Sequence, residues 1–254
     1  MRLQPALQEG YPRLAMVRPS SSEGVLAHPL FRVGVFTVIY MALAIAFVIA
    51  RGNTEFLFYV GVMFVLIGMI ASIHRSLSLS TGLLWALSIW GALHLAGGLV
   101  TIPDHWPADG EFRVLYSWWI LSKAPTAGDP GGLLKYDQVI HFYGFGVATW
   151  LCWQILCGTL GRDARDSKGV ARLRPTPGLM FLVASAGMGL GALNEVIEFI
   201  ATRITVTNVG GYVNTGWDLI YNALGASVAA AILYKMGNAS GEGSAASDSD
   251  SLRI

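Results

Sequence analysis

Residues 194–199 read Asn-Glu-Val-Ile-Glu-Phe and place two carboxylates three residues apart inside an apolar segment, 177–201. That segment is long enough to cross a bilayer, which takes about 20 residues. A carboxylate at membrane depth costs roughly 2.5 kcal/mol or more on insertion scales. Two carboxylates on one helical face therefore predict partners, a proton, a metal ion or a water-filled cavity.

The composition extends this interpretation to the whole chain. Hydrophobic residues make up 54% of the 254 positions and charged residues only 13%, whereas soluble domains carry about 25% charged residues. The chain is thus predicted to be a polytopic membrane protein whose main partner is the lipid bilayer. The net charge of +1 gives no indication of nucleic-acid binding.

The apolar segments predict an all-α transmembrane bundle of about six spans. The predicted spans are 31–50, 55–73, 81–101, 136–160, 177–201 and 217–236. Lys and Arg concentrate in the segments that are cytoplasmic if the N-terminus is inside, so both termini are predicted to be cytoplasmic. No cleavable signal peptide is apparent, because the first apolar run is long enough to remain as a span.

The rest of the chain is divided by composition around this transmembrane domain, 31–236. Residues 1–30 are predicted to be a flexible tail, and 237–254, rich in Gly, Ser, Ala and Asp, a disordered tail. Residues 102–135 form a long outer loop. Within it, the aromatic-rich run 114–121 is too short to span and predicts an interfacial or re-entrant piece.

Polar residues of four predicted spans fall at one depth. At 1.5 Å rise per residue, all of them lie within roughly 10 Å of the outer boundary. Their spacings of three or four residues put each pair on one helical face, which predicts a single site at the outer leaflet. They are His94, Asp137, His141, Glu195, Glu198, Asp218 and Asn222.

Imidazoles and carboxylates together suit a divalent metal ion such as zinc, manganese or iron. Such an ion lowers the pKa of a bound water, and Glu195 or Glu198 could act as general acid and base. The candidate ligands are His94, Asp137, His141 and Asp218. This pattern favours a metal-dependent membrane enzyme acting on a lipid or lipid-linked envelope substrate beneath the aromatic outer loop.

Two other functions use the same residues. A proton-coupled transporter of small solutes would use them as a proton relay, although the inner halves of the spans offer few polar residues. A non-catalytic partner in envelope assembly would use them as a structural network, and then the site should tolerate charge-neutral substitution.

Individual residues also have purely structural interpretations. His94 could be an interhelical hydrogen-bond partner, and Asn222 could serve only in packing between helices. Asp137 and Asp218 could cap helix N-termini, where a carboxylate satisfies free N–H groups. Arg203, one turn after the second glutamate, could neutralise that glutamate through a surface salt bridge.

Four motifs support a family resemblance. They are Leu-His-Leu-Ala-Gly-Gly at 93–98, Tyr-Asp-Gln-Val-Ile-His-Phe at 136–142 followed by Gly144, the 194–199 stretch, and Asn-Thr-Gly-Trp-Asp at 214–218 leading to Gly225-Ala226. In this order they resemble the YjdF-like family of bacterial inner-membrane proteins, whose function is not established, over roughly residues 31–235. That family usually carries another acidic residue just before the Trp-Asp pair; in this chain the nearby Asn214 is neutral, which weakens any expectation that this loop supplies an extra ligand.

A more distant similarity is to VanZ-like proteins, which carry Asp-x-x-x-His-Phe on one span and Asp-x-x-x-Asn on the last. They are tied to glycopeptide resistance and the cell envelope. Both resemblances imply a multi-pass protein of the bacterial inner membrane.

Overall fold

The computed structural model describes residues 29–52, 54–109, 113–122, 132–163, 173–204 and 211–251. Within these residues the chain forms six α-helices, all long and apolar enough to cross a membrane. The predicted all-α, six-span bundle is therefore confirmed. The helices are α1 (Pro29–Arg51), α2 (Thr54–Leu77), α3 (Thr81–Leu99), α4 (Tyr136–Asp163), α5 (Pro177–Ile204) and α6 (Tyr212–Ser251).

Local capping explains where several helices begin. The Ser80 hydroxyl accepts a hydrogen bond from the Leu83 N–H at the start of α3. The side-chain oxygen Oε1 of Gln138 accepts a hydrogen bond from the backbone N–H of Lys135, just before α4. At α5, Thr176 accepts from the Leu179 N–H, and proline occupies the first helical position. These arrangements satisfy N–H groups that have no partner inside a helix.

The ends of α6 differ from the predicted span. The helix begins at residue 212 rather than 217, and it continues to residue 251 through much of the predicted disordered tail. Residues 252–254 and the predicted N-terminal tail up to residue 28 lie outside the described residues.

The predicted outer loop folds over one end of the bundle, and we call its described part, residues 100–109, 113–122 and 132–135, the cap. The cap contains a short 3-10 helix at Leu115–Ser117 and two antiparallel strands, β1 (Trp119–Ser122) and β2 (Gly132–Lys135). The run 114–121, predicted as an interfacial or re-entrant piece, thus enters a small hairpin that leads directly into α4.

Three apolar clusters hold the helices together. One lies toward the cap end between α1, α2 and α3 and includes Ala201 of α5. The other two lie toward the opposite end, one between α2, α3 and α4 and one between α4, α5 and α6. The cap-end halves of α4, α5 and α6 carry the polar residues instead, so that the candidate site lies there.

Candidate functional site

His141 lies at the centre of the polar residues of α4 and α6. Its Nε2 is 3.6 Å from Asp137 Oδ1, one turn earlier on α4, and 4.0 Å from Asp218 Oδ1 on α6. Its Nδ1 is 3.0 Å from Asn222 Oδ1, one turn after Asp218. Because both pairs have i, i+4 spacing, each presents its two side chains on one face of its helix.

The α5 glutamates approach the same imidazole from another side. Glu195 Oε1 lies 3.6 Å from His141 Nδ1. Glu198 is held differently, since its Oε1 accepts a 2.8 Å hydrogen bond from the Asn194 amide one turn earlier. The two glutamates predicted from the 194–199 stretch therefore have distinct surroundings.

Buried oxygen atoms in this cluster lack hydrogen-bond partners among the described residues. They include both carboxylate oxygens of Glu195 and Oδ1 of Asp218, and the Asn222 Nδ2 is likewise unpartnered. Asp218 and Asn222 are each only 1% exposed. Buried polar atoms are nearly always hydrogen-bonded, because leaving one unpaired costs roughly 1 to 3 kcal/mol. The cluster therefore requires further partners, such as protons, water or a cation.

Two overlapping groups of side chains are close enough to hold a metal ion. In each group one ligand atom per residue lies within 4.8 Å of the others. His141 belongs to both groups. The first adds Asp137 and Asp218, and the second adds Glu195 and Glu198.

Comparison with known proteins assigns the chain to a family. Residues 32–239 match the family described as predicted membrane protein DUF2238. The chain belongs to the DUF2238 family. No curated protein and no solved structure matches it. The DUF2238 match spans nearly the same residues as the YjdF-like resemblance, and every residue of the two metal-holding groups lies inside it.

Asn214 is a site residue that sequence reasoning assigned no role. Its Nδ2 donates to Asp218 Oδ2 one turn later on α6 and lies 3.4 Å from Asp137 Oδ2 on α4. Its Oδ1 accepts a 2.6 Å hydrogen bond from the Lys135 ammonium. The spacing 214, 218 and 222 is the signal for this role, and it becomes visible once α6 is known to begin at residue 212.

In this DUF2238 protein, His94 contacts Tyr116 of the cap rather than the residues around His141. Its Nδ1 is 2.6 Å from the Tyr116 hydroxyl of the cap, which also donates to the His94 carbonyl oxygen at 2.8 Å. Burial raises the pKa of the Tyr116 hydroxyl well above its ordinary value, so this group stays protonated at neutral pH. His94 is in neither metal-holding group, and its role as a ligand stays a prediction.

The structure tests the two purely structural interpretations of the carboxylates, helix capping and a surface salt bridge. Asp218 lies two turns inside α6, so it does not cap that helix, whereas Asp137 is in the first turn of α4. Arg203 is exposed and forms no ion pair with Glu198 in the described part of the chain. Capping therefore does not account for the buried Asp218, and an ion pair with Arg203 does not account for Glu198.

Proposed function

We propose that this site binds a divalent metal ion and that the protein is a metal-dependent membrane enzyme acting on a lipid or lipid-linked envelope substrate. The observation that carries the proposal is the set of unpartnered, buried carboxylate oxygens of Asp218 and Glu195 around His141. A divalent cation suits these oxygens because its positive charge would offset the repulsion between several neighbouring carboxylates.

The hydrogen bond to Asn222 favours one of the two metal-holding groups. An amide oxygen only accepts hydrogen bonds, so the 3.0 Å contact requires the proton on His141 Nδ1. The lone pair of the neutral ring is then on Nε2, which faces Asp137 Oδ1 and Asp218 Oδ1. We therefore assign these three atoms as ligands. One imidazole and two carboxylates with further positions open suit manganese, iron or zinc.

Glu195 is then the better candidate for general acid and base. Its two oxygens have no hydrogen-bond partner among the described residues, whereas Glu198 is already engaged by Asn194. A divalent ion lowers the pKa of a water that it binds. Glu195, whose Oε1 is 3.6 Å from His141 Nδ1, would hold and release a proton on that side of the imidazole, and the metal ion would supply the activated water.

The cap supports a substrate that is carried in the membrane. Leu121 of β1 is 54% exposed and Leu133 of β2 is 58% exposed, and both lie in the hairpin that leads into α4. Exposed apolar side chains beside a bundle of spanning helices are suited to the bilayer interface. A lipid or lipid-linked molecule would present its polar group at that depth.

The first test is the metal content of the full-length protein, purified gently without chelator. We expect near-stoichiometric manganese, iron or zinc by elemental mass spectrometry, and its loss in the double variant His141→Ala, Glu198→Gln. Absence of metal from correctly folded wild type would contradict the proposal. It would favour a proton relay or a structural network, and solute uptake into vesicles under a pH gradient would then be measured.

The second test concerns Glu195. We expect Glu195→Gln to retain the metal but to lower activity, assayed in cells as complementation, because the amide keeps the shape and removes the base. Loss of a general base typically costs 10²- to 10⁴-fold. Full function of Glu195→Gln and of Glu198→Gln, with both proteins inserted normally, would exclude the assigned catalytic roles.

The packing of the opposite end favours an enzyme over a transporter. There, Met180, Val183 and Ala230 form an apolar cluster between α4, α5 and α6, where a proton path would need polar side chains. We further propose, from the Lys and Arg distribution and the YjdF-like resemblance, a location in a bacterial inner membrane with both termini cytoplasmic. The site would then be in the outer leaflet.

A further inference from the structure

Lys135 is a buried cation between the cap and the site. It is the last residue of β2, directly before α4, and its side chain is 9% exposed. Its ammonium donates to Asn214 Oδ1 at 2.6 Å, lies 3.4 Å from Asp109 Oδ2 and 4.0 Å from Asp137 Oδ2, and stands 5.7 Å from the centre of the Trp119 ring. Lys135 thus connects the cap to α4 and α6, and its contact with Asp137 is longer than its hydrogen bond to Asn214.

The contact with Lys135 determines how the Asn214 amide is oriented. An ammonium group has only donors, so the Asn214 atom at 2.6 Å must be the oxygen. The amide nitrogen then points the other way and donates toward Asp137 Oδ2 and Asp218 Oδ2. If the amide were reversed, its oxygen would face these two carboxylate oxygens and repel them.

The amide in turn determines which carboxylate oxygens remain available. With both Oδ2 atoms directed to Asn214, the Oδ1 atoms of Asp137 and Asp218 face His141 Nε2 at 3.6 and 4.0 Å. We propose that Lys135 is a positioning residue of the metal site, which acts through Asn214 to hold both aspartates in the ligating orientation. This inference rests on the proposed metal-binding function and identifies a residue that controls it from outside the ligand set.

The test is the affinity of the purified full-length protein for Mn²⁺, measured by electron paramagnetic resonance of the free ion. Groups that hold metal ligands typically contribute 10- to 100-fold to affinity. We expect Lys135→Met, which keeps an unbranched side chain only one atom shorter and removes the donor, to weaken binding by that factor. Lys135→Arg restores a donor and should recover most of the affinity.

A matched control uses the other partner of the same ammonium. Asp109 contacts Lys135 from the cap side, and its side chain is 48% exposed. We expect Asp109→Asn to stay within about threefold of wild type, since ion pairs this exposed contribute little. Thermal unfolding of each metal-free variant separates a local effect on the ligands from a general loss of structure.

A double-mutant cycle distinguishes action through Asn214 from an independent effect of the charge. If Lys135 acts through this amide, adding Lys135→Met to Asn214→Ala should cause little further loss of Mn²⁺ affinity. Additive losses, or wild-type affinity in a folded Lys135→Met variant, would overturn the inference while the metal site itself stands. If Lys135→Met fails to insert, Lys135→Leu, which also has no donor, carries the same comparison. Wild type that binds no Mn²⁺, Fe²⁺ or Zn²⁺ overturns the proposed function and this inference with it.

Discussion

His141→Ala should weaken binding of the divalent ion by more than about 100-fold, beyond the 10- to 100-fold typical of residues that only hold the ligands. The variant removes Nε2, the atom that lies 3.6 Å from Asp137 Oδ1 and 4.0 Å from Asp218 Oδ1. It leaves these two carboxylates without the imidazole, so an ion would have to be held by oxygen atoms and water alone. Titration calorimetry with Mn²⁺ and Zn²⁺ measures the change.

A second ligand variant and a control variant are compared with His141→Ala. Asp218→Asn should cause a comparable loss, because it removes the charge of a proposed ligand that is 1% exposed. His74→Ala provides the matched control, since it removes an imidazole near the end of α2, away from the cap, and should leave the affinity unchanged. Wild-type affinity in a folded His141→Ala protein would show that the ion, if bound, is held elsewhere.

His94→Ala separates the ligand set inferred from sequence from the one that the geometry favours. If His94 is a ligand, which is one of the two interpretations that the sequence leaves open, the loss should be as large as that of His141→Ala. The contacts of His94 with Tyr116, and its place outside both metal-holding groups, favour an affinity close to wild type. The same titration decides between these two expectations.

The helices could be predicted from sequence because the bilayer leaves few choices. A run of about 20 apolar residues in hydrocarbon must satisfy its backbone hydrogen bonds internally, and a helix does so within one segment. Four of the first five predicted spans consequently lie within their helices, which are up to four residues longer at one end, and only α3 ends two residues earlier than predicted. The apolar-run criterion does not detect polar helical residues such as Asn214. The start of α6 was therefore predicted five residues too late.

The core of the candidate site could also be predicted, because it depends on spacing along helices of alternating direction. The pairs Asp137–His141 and Asp218–Asn222 needed only a helical repeat and a common depth to be brought together. Lys135 and the hairpin could not be predicted. A two-stranded hairpin is marginal by itself, and this one is anchored by tertiary contacts such as that of Lys135 with Asn214.

Among the glycine-to-alanine substitutions in the described helices, Gly225→Ala should be the most damaging. A Cβ at Gly225 would overlap with the backbone carbonyl oxygen of Phe142 on α4 and would lie 2.8 Å from its carbonyl carbon. Because the obstacle is backbone, α4 and α6 must move apart. Overpacking of this kind typically costs about 1 to 3 kcal/mol, and occasionally more.

The expected damage extends to the proposed metal site. Asp218, Asn222 and Gly225 follow each other at helical spacing on α6, and Phe142 directly follows His141 on α4. Separating the helices at Gly225 therefore draws Asp218 away from His141, so metal affinity should fall together with the unfolding free energy. Gly216→Ala is the control on the same helix, because nothing lies within 4 Å of the added methyl. Denaturation in detergent and Mn²⁺ titration measure the two effects, and a Gly225→Ala protein with wild-type values in both would show that α4 and α6 do not need this close approach.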